Sequence, residues 1–244
     1  ERFSAELALG SESRLVIENQ CYSEAANKEE IRGLTQGILL DLGVSSRQLD
    51  ESHRGFSYRF NARLDMKFAS DGRSAEDILN AAAEDELEHI LRNYGEEPFA
   101  KVIARRIVQA RRAAPLLYTF DLRDAVEQSV PQQILLKSLS RVFQAIRIAV
   151  NKELEVLEYT LSNLVPLLAK GGRAVIISYH SLEDRLVKEA FRKLSQPDRD
   201  EITGRAIKEP LMKLITRKPE LPDDAEIAIN LRARSAKLRV AEKN

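Results

Sequence analysis

Three groups of residues carry side chains able to do chemistry at spacings a fold can exploit. The first is Asp41-Leu42-Gly43-Val44-Ser45-Ser46, a carboxylate, a glycine and two hydroxyls directly behind the apolar run Gly37-Ile38-Leu39-Leu40. If that run is a buried strand, these residues form a loop at its C-terminal end, the edge of an open α/β sheet where ligands sit. Asp41 there can contact a cofactor or accept hydrogens from an amine; alternatively it is a turn-forming Asp that caps a local amide. Ser45 and Ser46 can hydrogen-bond a ligand or cap the segment that follows. The second group centres on His180, between the apolar run Ala174-Val175-Ile176-Ile177 and the helix start Ser181-Leu182-Glu183-Asp184. It can accept a proton or orient a substrate, or be a satisfied structural residue at a strand end. The third group is basic: Lys101, Arg105, Arg106, Arg111 and Arg112, then Arg232, Arg234, Lys237 and Arg239. Such clusters can hold phosphates or be solvated helix faces.

Composition narrows the partners. The 244 residues are 43% hydrophobic and 31% charged, ordinary for a globular protein and wrong for a membrane one. No apolar run approaches the ~20 residues of a membrane-spanning helix, and the start carries no signal-peptide pattern. Cys21 is the single cysteine, which rules out an internal disulfide and a zinc knuckle. These features favour a cytoplasmic setting with no membrane partner and no metal. The formal net charge is zero, so any nucleic-acid reading rests on the local basic clusters alone.

The elements that must position these groups are legible in the apolar pattern. Arg14-Leu15-Val16-Ile17 and Gly37 to Asp41 read as strands of a parallel sheet covered on both faces, because neither alternates with polar residues. From about Ser74 to Val130 only helices are expected. Ser74 and Asp77 form a capping box, Leu87, Ile90 and Leu91 mark a helix ended by Gly95, Phe99 to Val108 mark a third, and Thr119 is an N-cap candidate for a fourth. A single apolar stripe then runs from Leu139 to Leu168, kinked or broken near Pro166 and stopped by Gly171-Gly172. Arg173 to Ser178 is a strand, a helix follows to about Leu194, and Lys213 to Thr216 and Lys237 to Val240 are final strands. The order predicts a doubly wound α/β core interrupted by a helical block: core at 1–50, helical insertion at 51–140, core again at 141–244.

The motifs together resemble one family. Gly37-Ile-Leu-Leu-Asp-Leu-Gly-Val-Ser-Ser46 with Gln48-Leu49-Asp50, Arg54-Gly-Phe-Ser57 with Leu64-Asp-Met66, and Asn93-Tyr-Gly-Glu96 are similar to segments of the MraW-type methyltransferases H of small-subunit ribosomal RNA. So are Arg141 to Asn151, Ser178-Tyr-His-Ser-Leu-Glu-Asp-Arg185, Thr216-Arg-Lys-Pro219 and Arg232-Ala-Arg-Ser-Ala-Lys-Leu-Arg239, in the same order. The resemblance implies a class I S-adenosylmethionine-dependent methyltransferase with a Rossmann-like α/β core and an inserted all-helical domain for substrate recognition. It implies methylation of N4 of a cytosine in the decoding centre of 16S rRNA, within the small ribosomal subunit, and leaves room for a homodimer. Carried over by position, Tyr22 is the aromatic residue that packs on the adenine, Asp41 the carboxylate ending the fourth strand, and Gln48 the glutamine seven residues on. Asp41, Ser45, Ser46 and His180 are the residues expected at the chemistry. Arg105, Arg106, Arg111, Arg112, Arg232, Arg234 and Lys237 are those expected on RNA.

The departures are equally specific. The family's Gly-Gly-His loop and the acidic residue ending its second strand have no counterpart here, and the sequence opens on Glu1. The expectation is that the first nucleotide-binding half is truncated, so that the isolated piece aggregates or is partly disordered through unpaired strand edges. Arg47 and Arg63 stand where Pro is usual, and Gln36 where Asp is common. The competing reading is a non-catalytic RNA-binding or ribosome-assembly protein that has lost its donor site.

Overall fold

The computed structural model describes residues 18, 20–44, 52–200, 203 and 205–244. A single helical turn, α1 (Tyr22–Ala25), leads to strand β1 (Thr35–Asp41). Four helices follow: α2 (Ala75–Ala81), α3 (Glu84–Gly95), α4 (Ala100–Ala113) and α5 (Thr119–Glu127). Two longer helices, α6 (Leu135–Asn151) and α7 (Glu153–Leu167), bring the chain back to strand β2 (Leu168–Ser178) and helix α8 (Ser181–Leu194). Next come β3 (Asp198–Arg199), β4 (Ala206–Lys208), β5 (Met212–Leu214), helix α9 (Asp224–Ile229) and β6 (Lys237–Lys243).

Among the described residues the main sheet has four strands in the order β1-β2-β6-β5. β1 and β2 run parallel, with Asp41 in register with Ile177, and β6 runs antiparallel to both β2 and β5. This is the expected α/β core with a helical block inserted between two parallel strands. The parallel pairing has a functional consequence: Asp41 and the residues after Ser178 emerge at the same edge of the sheet. The expected strand at 14–17 lies outside the described residues. Within them, no helix is long and apolar enough to cross a membrane.

Two apolar clusters hold the molecule. The helical cluster gathers Phe56, Leu64 and Met66 with the inward faces of α2 to α6, where Ile103, Ala104 and Ile107 of α4 and Leu139, Val142 and Ile146 of α6 are spaced three and four apart. The second cluster packs α7 (Leu157, Leu161, Leu164) and α8 (Val187, Phe191) against Leu40, Ile176 and Ala241 of the sheet. The helical cluster takes in α6 up to Ile146, so the boundary expected at residue 140 falls inside one continuous helix.

Four expectations need correction. The stripe from Leu139 to Leu168 is two helices, because Lys152 adopts a left-handed conformation (φ 50°) and turns the chain from the first cluster to the second. Gly171 and Gly172 do not stop a helix. α7 ends at Leu167 and both glycines lie in β2, where a Cβ on Gly172 would meet the Thr35 carbonyl oxygen at 2.8 Å beside a register irregularity. Thr119 is not an N-cap. Tyr118 holds that place, Asp121 accepts from the Leu117 and Tyr118 amides, and the Thr119 hydroxyl donates to the Phe60 carbonyl. β1 is not covered on both faces: Leu40 is buried but Leu39 is 65% exposed. The Ser74–Asp77 capping box is present as expected, with Asp77 N donating to Ser74 Oγ at 3.1 Å and Ser74 N to Asp77 Oδ2 at 2.8 Å.

Candidate functional site

A cleft of about 760 Å³ opens where the helical cluster meets the edge of the sheet. Its walls come from four places. Asp41 to Val44 follow β1, Gln144 and Arg147 project from α6, Tyr179 and His180 follow β2, and residues 230–235 precede β6. Each wall is placed by local structure. The Leu42 amide donates to the Ile177 carbonyl at 3.0 Å, which continues the parallel pairing one step, and Gly43 (φ 85°) then turns the chain away. Asn230 caps the short 3₁₀ turn Leu231–Ser235 by accepting from the Arg232 amide, and so sets Arg232 and Arg234 on one rim.

The carboxylate at the strand end is held. The Tyr179 hydroxyl donates to Asp41 Oδ1 at 2.9 Å. Burial, the hydrogen bond to Asp41 and the Asp41 charge push the Tyr179 phenol up to about 12, so it remains a donor throughout the neutral range. Asp41 itself is exposed to the cleft, and its second oxygen is left to accept from a ligand.

Behind this pair lies a buried polar group. His180 is the N-cap of α8, with Nδ1 facing the Glu183 amide at 3.4 Å. Its side chain is only 10% exposed, and Nε2 lies 3.2 Å from Glu183 Oε1, an ion pair when the imidazole is protonated. Glu183 accepts in turn from the Tyr179 amide at 2.9 Å. Burial works to raise the Glu183 carboxyl, but the hydrogen bond and charge of His180, the Tyr179 amide and Arg147 outweigh it and hold the group below its ordinary value. Arg147 pairs with Glu153 through two hydrogen bonds, at 2.8 and 3.0 Å, and this bridge spans the turn between α6 and α7. Glu153, His180 and Glu183 lie close enough to hold a cation. Glu153 is already engaged by Arg147 and Glu183 by the Tyr179 amide, so we assign no metal there.

The sequence-derived residues therefore separate. Asp41, His180, Arg232 and Arg234 share the cleft. Ser45, Ser46 and Gln48 lie outside the described residues. Tyr22 is half-buried against the sheet cluster and beside the cleft lining, not within it. Burial and then the charges of Cys21, Glu183 and Glu153 push its phenol well above the usual range. Of the basic residues on α4, Arg105 pairs with Glu84 at 3.6 Å and Arg111 donates to the Leu79 carbonyl, while Arg112 is exposed. Arg106 is half-buried. Lys237 and Arg239 both pair with Asp184, at 3.2 and 2.7 Å. Sequence reasoning missed Tyr179, Gln144 and Asn230; only the position of Tyr179 between Ser178 and His180 could have pointed to it.

A family model described as the MraW methylase family matches residues 5–244. A protein named ribosomal RNA small subunit methyltransferase H from Geotalea uraniireducens is 45% identical over 242 residues, covering 96% of this chain and 77% of the relative. Proteins of the same name from Exiguobacterium sibiricum (43% identical; 98% of this chain, 80% of the relative) and Chlorobium luteolum (48%; 91% and 69%) are similar over comparable lengths.

Proposed function

The chain belongs to the MraW methylase family, and on that premise we propose that it uses S-adenosylmethionine to methylate N4 of a cytosine in the decoding centre of small-subunit (16S) ribosomal RNA. The relatives' names support a ribosomal RNA substrate. The single observation that carries the chemistry is the Tyr179–Asp41 pair, 2.9 Å apart on the cleft wall.

The donor, when bound, supplies a methyl on a positively charged sulfur, so the protein must align the reactants rather than activate a leaving group. The hard partner is the amine, whose lone pair is delocalised into the cytosine ring. A fixed acceptor for one N4 hydrogen draws the nitrogen towards tetrahedral geometry and disperses the charge that develops on it. Asp41 fits that role because Tyr179 holds one of its oxygens and so orients the other. The cleft volume falls within the range of cofactor sites. By the family resemblance of their positions, Tyr22 and Gln48 would contact the donor, and Asp41, Ser45 and Ser46 the amine and its base. His180 orients this wall through its cap on α8. The target base must leave its stack to enter. Arg232 and Arg234 on the rim, with Arg105, Arg106 and Arg112 on α4, would hold the phosphates of the displaced strand; Arg111 and Lys237 are engaged within the protein.

The test is methyl transfer from labelled donor to naked 16S RNA and to assembled small subunits, with the modified nucleoside identified after digestion. Label in N4-methylcytidine at one position is the expected result, and Asp41→Asn should reduce it by roughly 100-fold. Label on protein or on a small molecule overturns the reading. RNA binding with no transfer to any acceptor favours a non-catalytic assembly role.

A further inference from the structure

A second hollow adjoins the cleft. It has a volume of about 260 Å³, and Gln144, Arg147 and Arg232 line both. One wall is the stretch Phe56 to Phe60 and the other is α6 with Phe143. Four aromatic rings therefore face or flank one small space: Phe56, Tyr58, Phe60 and Phe143. Tyr58 meets Phe143 edge-on, with ring centres 5.6 Å apart, which fixes the orientation of the Tyr58 ring. Phe60, by contrast, is 49% exposed, an apolar face left to solvent at the mouth of a polar cleft.

The charges around these rings are one-sided. No carboxylate is among the residues lining the hollow. Arg59, between the two outer rings, has no acidic partner among the described residues. The Gln144 amide nitrogen donates to the Tyr94 carbonyl at 3.2 Å, which leaves its side-chain oxygen to accept from a ligand. Aromatic faces on either side of an unpaired guanidinium, that of Arg59, are the chemistry of a platform for unstacked, single-stranded nucleotides. A protein partner would need a carboxylate to meet Arg59, whereas RNA brings a phosphate with each base.

We infer that this hollow seats the nucleobase adjacent to the methylated cytosine, stacked on Phe60 and Tyr58, with its phosphate on Arg59. The inference rests on the RNA-methylation reading and adds to it a second base site. The shared residues then have a role of their own, since Gln144, Arg147 and Arg232 form the partition over which the RNA backbone must pass to put one base in each compartment.

The experiment uses short RNAs spanning the target cytosine, intact or with a single abasic position on either side. Affinity is measured by fluorescence anisotropy and methylation by initial rate, for the wild type, Phe60→Ala and Phe60→Leu. One of the two flanking abasic RNAs should bind the wild type roughly ten-fold more weakly than intact RNA. Phe60→Ala and Phe60→Leu should lose a similar factor on intact RNA and lose nothing more on that abasic RNA, because the lost partner is the same. Equal affinity of Phe60→Ala and wild type for intact RNA overturns the proposal and leaves the hollow to a protein surface. Additive losses overturn it too. Absence of methyl transfer by the wild type, with the affinity pattern intact, would instead sink the enzymatic reading and leave the base site standing.

Discussion

At the scale of single residues, the decisive contact is a neutral donor on a charged acceptor. The Tyr179 phenol is pushed up to about 12 by burial and by Asp41, so no physiological pH removes its proton. A hydrogen bond to a charged group contributes about 1.5–3 kcal/mol. Tyr179→Phe should therefore lower kcat/KM for methyl transfer by roughly 10–100-fold, if the orientation of Asp41 is used in the transition state, while the melting temperature stays close to wild type. An unchanged rate would show that Asp41 acts without this tether. Glu183 makes the matching prediction for pH. Its folded carboxyl lies below the ordinary value of 4.5, so its contribution to stability is complete above 4.5 and lost as pH falls through the lower folded value. Asp184, held below 3.8 by Arg239 and Lys237 against the effect of burial, acts in the same direction. Urea titrations from pH 7 to pH 3 should show stability falling below about pH 4.5, with a shallower fall for Glu183→Gln from a lower starting point. Asp41 and His180 could be read from the sequence because each follows a short apolar run. Tyr179 could not, since its partner lies 138 residues away in the chain.

Among the elements, α3 and α6 approach closely at Gly95. A Cβ there would meet the Arg141 carbonyl oxygen at 2.7 Å and the Ala145 Cβ at 3.1 Å. The sequence suggested that Gly95 ends the helix through backbone freedom, but the left-handed residue is the next one, Glu96 (φ 49°). Gly95 is needed for lack of bulk instead. Gly95→Ala should destabilise by about 1–3 kcal/mol through overpacking and lower the melting temperature by several degrees, although alanine is the better helix former. Glu96 then does a second job: it accepts from the Ser181 hydroxyl and from Arg185, at 2.7 and 2.8 Å, and so ties the end of α3 to the start of α8. Periodicity recovered α2 to α5 and α8 because three- and four-residue spacing is a local property, whereas the short α1 and α9 have too few turns to show it. The cap at Tyr118 and the long start of β2 escaped it. Both depend on pairing with distant backbone, the Arg63 bridge to Tyr118 and the Thr35 pairing with Leu168.

For the molecule as a whole, a formal charge of zero conceals an uneven distribution. Arg59, Arg232 and Arg234 gather around the cleft and its annex, and Lys101, Arg105, Arg106 and Arg112 lie along α4. Counterion release makes such contacts measurable one by one: each phosphate contact on a single strand contributes about 0.7 to the slope of log affinity against log salt. Arg234→Gln and Arg112→Gln should each flatten that slope by about this amount if both touch phosphate; a slope unchanged by either variant removes that residue from the RNA path. The composition could not show this, because balance over the chain says nothing about which face each charge occupies.

The junction at Lys152 bears on all three scales. One residue in a left-handed conformation separates a helix that belongs to the insertion from one that belongs to the sheet, and the Arg147–Glu153 pair braces it. The same ion pair fixes the direction in which α6 presents Gln144 and Arg147 to the cleft, opposite Asp41 and Tyr179, so losing it would loosen one wall and leave the other in place.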